Sequence, residues 1–168
     1  MKPIYKKILK IVGIVLGIIL IYYLAFTAKL LWDSYQWQKK TEQFEETMRK
    51  PYKEDIYGGK TPEETWSMFL DALKKGDIDL ASKYYDVEHQ EKERSILLNI
   101  KEKKELDLLL SQLSNPLQKD EDTPDFLKQD KERAYYYYIF EDPISKEKYR
   151  NDVNFYLNPY TKVWKILY

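Results

Sequence analysis

The sequence predicts an α+β protein on a membrane anchor: an N-terminal transmembrane helix and stalk, then helices, then an antiparallel sheet. Three observations carry this. An uncharged apolar run extends from Ile11 to Ala28. Between Thr61 and Leu113 apolar residues recur at helical spacing. From Arg133 onward the text turns aromatic and β-branched and alternates, which is the pattern of strands. Helices first and an antiparallel meander last make an α+β plan.

The anchor comes first. Residues 1–10 form a basic N-terminus with Lys2, Lys6, Lys7 and Lys10. At about 1.5 Å per residue the run from Ile11 to Ala28 nearly crosses a hydrocarbon core of roughly 30 Å, and Leu30, Leu31 and Trp32 extend it. The expected span is therefore residues 11–32, with the lipid bilayer as its partner. A cleaved signal peptide would share the basic start. However, Phe26 ahead of Ala28 fits a small-x-small cleavage site badly, and the run exceeds an ordinary signal-peptide core. Lys29, Lys39 and Lys40 follow the span, so the lysine bias favours a cytoplasmic N-terminus by one charge. The expectation is a single-pass cell-membrane protein with its C-terminal domain extracytoplasmic. Tyr5, Tyr22, Tyr23, Phe26 and Trp32 suit the two membrane interfaces. Within the span Gly13 and Gly17 stand four residues apart on one helix face, a spacing that lets two helices approach closely and dimerise; chance is the plainer reading, since glycine is common in membrane helices.

Residues 33–60 read as stalk helix and linker. Leu30, Trp37 and Phe44 recur every seven residues, but Ser34 and Thr41 occupy the second apolar position a coiled coil needs. Pro51 is expected to end this helix, and Gly58 and Gly59 to close the linker. The following "GGKT" imitates the tail of a phosphate-binding loop. The first glycine of that motif should fall at position 54, which is Glu54, so the amide nest cannot form. Thr61, Pro62 and Glu64 instead make a helix start: a cap, a proline at the first turn and a capping-box glutamate.

Residues 61–168 carry the domain. Trp66, Phe69, Leu70 and Leu73 give the first helix, which Gly76 ends. Asp77 caps a second, with Ile78, Ala81, Tyr84 and Tyr85 inward. One longer helix is expected through "KERSILLNIKEKKELDLLLSQLS", with Ile96, Ile100, Leu106, Leu109, Leu110 and Leu113 on its apolar side. Asn115 and Pro116 stop it. "RAYYYYIFED" and "NDVNFYLNPYTKVWKILY" read as strands, the second as a hairpin turning at Asn158 to Thr161.

The opening "TPEETWSMFLDALKKGDIDLASKYY" and the closing "KVWKILY" resemble the nuclear transport factor 2-like superfamily, over about Thr61 to Tyr168. The resemblance implies a cone, with a curved sheet wrapped around N-terminal helices. Three or four strands are evident where the family has more, so "DFLKQDKE" supplies another or the cone is incomplete. Enzymes of the superfamily carry Asp, His or Tyr inside the cone, where burial tunes an acid or base.

The four consecutive tyrosines divide by alternation. Tyr135, Tyr137 and Ile139 take one face, and Tyr136, Tyr138 and Phe140 the other. Trp164, Ile166 and Tyr168 oppose Val163, Lys165 and Leu167. Both faces are thus substantially apolar, and Tyr135, Tyr136, Tyr137, Tyr138 and Trp164 are the candidate ligand-binding residues, although packing also explains strand tyrosines.

Chemistry is sparse. Residues 57–168 hold eighteen basic against twenty-two acidic residues, which leaves no electrostatic footprint for nucleic acid. There is no cysteine, which excludes disulfides, thiolate metal sites and a cysteine nucleophile. His89, the single histidine, lies in a polar stretch where a solvated ring is expected. "DEDTPD" lacks the glycine of a calcium loop and has Lys131 at its twelfth position. Asp71, Asp77 and Asp86 read as helix surfaces and caps. No catalytic residue, metal site or cofactor is assigned. Three functions follow in order: a non-catalytic domain binding a protein partner or itself, a polysaccharide or small-ligand module using the tyrosines, and a lyase or isomerase with a cone pocket.

Overall fold

The computed structural model describes residues 2–124, 127, 129–142 and 145–167, with side chains from Ile8 onward. The Tyr5 ring, Phe126 within "DFLKQDKE" and Tyr168 lie outside the described residues. The chain forms two compact units, Met1–Arg49 and Lys50–Tyr168.

Helix α1 is continuous from Lys2 to Glu54. It contains the one helix among the described residues that is long and apolar enough to cross a membrane, consistent with a membrane anchor near the N-terminus. Its apolar side chains are exposed, Leu31 at 72% and Ile21 at 68%. The hydroxyls of Thr27 and Ser34 donate back to the carbonyls of Leu24 and Leu31 at 3.0 and 3.2 Å, so these polar groups are satisfied within the helix. Further on, Arg49 pairs with Glu45 at 2.7 Å one turn away.

Pro51 does not end α1; it lies inside the last turn. A proline there forfeits one helical hydrogen bond. The second unit holds that turn in place by other means. The carbonyl of Tyr52, one of the four a helix end leaves without a partner, accepts from Asn158 Nδ2 at 2.8 Å, and the Tyr52 hydroxyl donates to Glu88 at 2.7 Å. The compact unit therefore begins at Lys50, ten or so residues before the expected boundary at Thr61.

In the second unit α2 (Pro62–Lys74) starts as its sequence dictates. Thr61 accepts from the Glu64 amide at 3.1 Å, and Glu64 reaches back to the Lys60 amide at 2.6 Å. It closes on Gly76, whose φ of 68° permits the paired bonds Gly76 to Leu73 and Asp77 to Ala72 of a Schellman end. Helix α3 (Ile78–Ser82) is capped by Asp77, which accepts from the Leu80 amide at 3.0 Å.

The long third helix of the sequence reading is two helices, α4 (Gln90–Glu102) and α5 (Leu106–Leu113). Lys104 takes φ 63° between them, with Lys104 bonded to Lys101 and Glu105 to Ile100, the same Schellman closure made without a glycine. The break turns α5 so that Leu113 is buried and Leu106, Leu109 and Leu110 pack against the core.

Strands β1 (Gln118–Lys119), β2 (Arg133–Glu141), β3 (Lys148–Leu157) and β4 (Trp164–Leu167) form one antiparallel sheet in chain order. The fourth strand is thus the short pair at Gln118–Lys119; the described residues of "DFLKQDKE" form none. The β3–β4 hairpin closes at Asn158, whose side chain accepts from the Tyr160 amide at 3.0 Å. Beyond β4, Tyr85 bridges Ile166 in parallel.

Register settles which tyrosines face the helices. Tyr136, Tyr138, Val153, Phe155 and Ile166 are buried with Trp66, Phe69 and Leu73 in one core. Tyr135, Tyr137 and Ile139 take the opposite face, where Ile139 is 41% exposed.

Candidate functional site

Two concavities and one buried polar cluster organise the second unit. The cluster lies where the chain enters the domain. Lys165, on the face of β4 opposite Ile166, is fully buried. Its ammonium donates to Asp55 Oδ2 at 2.7 Å, to the Tyr57 carbonyl at 2.7 Å and to the Lys83 carbonyl. Asp55 is completed by the Tyr57 amide and by Gln90 Nε2, each at 3.1 Å. Burial drives the Lys165 ammonium below its usual range, against the pull of Asp55. All three ammonium donors are engaged, so this lysine is structural.

The segment reaching Asp55 is held by glycine contacts. Gly58 has φ 148°, and a Cβ there would meet the Trp164 carbonyl at 2.3 Å. The Gly59 carbonyl accepts from the Trp164 amide and its N–H donates to the Thr65 hydroxyl, each at 2.9 Å. The glycine pair that imitates a phosphate loop is therefore a strand-edge splice.

His89 is not a freely solvated ring. Its Nδ1 stands 2.7 Å from Asp86 Oδ1, and Asp86 is 7% exposed. Burial raises the Asp86 carboxyl despite that partner. Asp86 is thus a buried hydrogen-bond partner of His89 and does not cap α4. Among the described residues no three His, Asp or Glu side chains converge as a metal site.

The first concavity is a groove of about 700 Å³ beside β1 and the start of β2, where Tyr135, Tyr136 and Trp164 meet Pro62, Lys119 and Arg133. The Tyr136 hydroxyl donates to Glu63. Burial and then this contact push the phenol up. Burial alone would raise Glu63, but the Tyr136 bond and backbone amides outweigh it and hold the carboxyl below its usual range.

The other tyrosines go elsewhere. Tyr137 lies under the Arg150 guanidinium at 4.1 Å and donates to Gln118 at 2.8 Å. Tyr138 belongs to the core wall, its hydroxyl accepting from Asn151 at 2.9 Å. The five candidate residues therefore do not form one surface.

The second concavity is a cavity of about 370 Å³ between the helices and the sheet, near the lower end of the roughly 300–1,000 Å³ range of small-molecule sites. Its walls come from Phe69 on α2, Leu97 and Ile100 on α4, Leu109 and Leu113 on α5, and Val153 on β3. Ile96, 39% exposed, and the exposed Asp152 also line it. Two buried polar atoms in residues of this lining have no protein partner: Glu93 Oε1 and Trp66 Nε1. Glu93 is only 5% exposed, and burial raises its carboxyl. Buried polar groups are nearly always paired, so these two atoms are exceptions within the core. Glu93 was legible in one respect: it stands three, four and seven residues before Ile96, Leu97 and Ile100, on the apolar stripe of α4.

Gly13 and Gly17 lie in the first unit, with nothing within 4 Å of where a Cβ would stand. Compared with family models, curated proteins and solved structures, the chain matches none.

Proposed function

We propose that this is a membrane-anchored binding protein whose extracytoplasmic domain, of the nuclear transport factor 2-like kind, holds a small and largely apolar ligand between its helices and its sheet. The observation that carries the reading is the cavity itself, walled mainly by apolar side chains of α2, α4, α5 and β3. The order of elements, helices before an antiparallel meander with the cavity between, supports the fold assignment. The bilayer is the partner of residues 11–32, and Gly13 and Gly17 offer a face for self-association there.

Two experiments test this. The chain has no cysteine, and Ser145 is exposed. Ser145→Cys should react with a membrane-impermeant thiol reagent on intact cells; reaction only after lysis places the domain in the cytoplasm and refutes the topology. Tritiated toluene should bind the full chain in nanodiscs above empty nanodiscs, and Val153→Trp, which fills the cavity, should abolish the excess. Equal uptake by both chains removes the cavity from the account.

The groove at Tyr135, Tyr136 and Trp164 supports a second reading, an envelope-polysaccharide site. Aromatic rings there suit the faces of sugar rings, and Lys119 and Arg133 stand beside Asp120 and Glu121, a mixed lining that suits a neutral oligosaccharide. Tyr135→Ala should then weaken binding while Tyr137→Ala does not.

A further inference from the structure

Strand β3 outruns its neighbour on one side. Strand β2 accompanies it from Lys148 to Tyr156, whereas β4 accompanies only Asn154 to Leu157. Lys148 to Val153 therefore have a single neighbouring strand among the described residues. The ladder fixes where their backbone groups point. The Leu157 N–H donates to the Glu132 carbonyl on the β2 side, and the Tyr135 carbonyl, opposite Asn154, turns away from β3 to accept from Asp120. In an antiparallel ladder these directions alternate along the strand. Tyr149, Asn151 and Val153 thus face β2, and Lys148, Arg150 and Asp152 point their N–H and C=O groups outward. Among the described residues no backbone group bonds them. The outer edge of β4, by contrast, is covered: Trp164 donates to the Gly59 carbonyl, Ile166 donates to Tyr84, and the Ile166 carbonyl accepts from Asp86. A row of open N–H and C=O groups is a template for another strand.

We infer that this strand is the same edge of a second copy, paired antiparallel about a two-fold axis at Arg150. Charges on an edge ordinarily keep a second strand away; here they complement themselves. With Arg150 opposite Arg150, Lys148 meets the partner's Asp152 and Asp152 meets the partner's Lys148, and every outward residue falls in a hydrogen-bonded pair. The one like-charged pair is buffered, since each Arg150 is held by its own Asp120 at 3.0 Å and Asp152 at 2.8 Å. A shift towards β4 would set Lys148 against Asn154, which is already paired with Leu167. A shift the other way would set Lys148 against Arg150. A foreign strand of one charge sign would meet a like charge at Lys148 or at Asp152. On the opposite face Tyr149, 44% exposed and stacked on Phe140, comes to lie across from the partner's Asn151, so each copy covers an exposed ring of the other. Anchoring in one bilayer raises the concentration of one copy near another.

The chain has no cysteine, so single cysteines report the register. In membranes holding the full chain, oxidation with copper phenanthroline should link Arg150→Cys to itself, because opposed Cα atoms in such a pair stand about 5.5 Å apart, within disulfide reach. Lys148→Cys alone should stay unlinked, while Lys148→Cys coexpressed with Asp152→Cys should link; this mixed pair keeps Arg150 and its contacts in place. On the Arg150→Cys background, Asp152→Lys sets like charges opposite each other and should cut the linked fraction roughly tenfold. Adding Lys148→Asp should restore it. Absence of linkage both at Arg150→Cys and in the mixed pair overturns the inference. Lys148→Cys alone linking as fully as Arg150→Cys marks random collision and overturns it too. Linkage indifferent to Asp152→Lys overturns the choice of this register, and a band joining Arg150→Cys to a different protein overturns self-pairing in favour of a foreign strand.

Discussion

Replacing Lys165 by methionine is the most searching test of the fold described here. The ammonium is fully buried and bonds one carboxylate and two carbonyls. Its removal leaves Asp55, 7% exposed, as a buried charge with only the Tyr57 amide and Gln90 for company. Removing one partner of a buried pair typically costs about 3–5 kcal/mol. Against a usual domain stability of about 5–15 kcal/mol that is a large share, and it should lower Tm by roughly 10–20 °C. The paired change Asp55→Leu with Lys165→Met removes both charges. Its cost should fall short of the summed single changes by about 2 kcal/mol. Urea unfolding of the full chain in nanodiscs, followed by near-ultraviolet circular dichroism of the aromatic core, reads all three variants. The pH dependence gives a second handle. Because burial lowers Lys165 in the folded state, the unfolded chain binds more protons between that lowered value and about 10.4, so stability should rise with pH across this window. Lys165→Met should flatten that rise. A loss below about 1 kcal/mol, or strict additivity of the two changes, would show that Lys165 is solvated and refute the reasoning.

Other variants probe separate joints. Gly58→Ala brings a Cβ to 2.3 Å from the Trp164 carbonyl at φ 148° and should cost about 2 kcal/mol or more in urea unfolding. Lys104→Gly relieves a left-handed lysine between α4 and α5 and should stabilise by roughly 0.5–1 kcal/mol; a loss would mean the two helices are not closed there by a Schellman turn. Burial raises the Glu93 carboxyl, so the native state binds the extra proton and this contribution is lost as pH rises through the folded value. Glu93→Gln should therefore raise Tm more at pH 8 than at pH 5, and a gain independent of pH would contradict the burial of that carboxyl.

Local chemistry made much of the fold legible. Thr61, Pro62 and Glu64 announced α2, Gly76 its end, Asp77 the cap of α3 and Asn158 the last turn, because each acts within a few residues of itself. Lys104 was not legible, since the left-handed closure that glycine usually marks is made here by a lysine. Pro51 misled for a related reason: the bonds that let the helix run past it come from Asn158 and Glu88, far along the chain. The burial of Lys165 was hidden in the same way, its partner Asp55 lying more than a hundred residues earlier.

The site was half legible. Alternation correctly separated Tyr135 and Tyr137 from Tyr136 and Tyr138, yet it could not divide them among the groove, the Arg150 contact and the core wall. Glu93, 5% exposed, lies on the apolar stripe of α4, a burial that its charge does not announce.

The most direct measurement is the mass of the full chain released gently from its own membranes. The wild-type chain should carry an additional small molecule that Val153→Trp lacks. Identical masses for the two chains would contradict a ligand between the helices and the sheet.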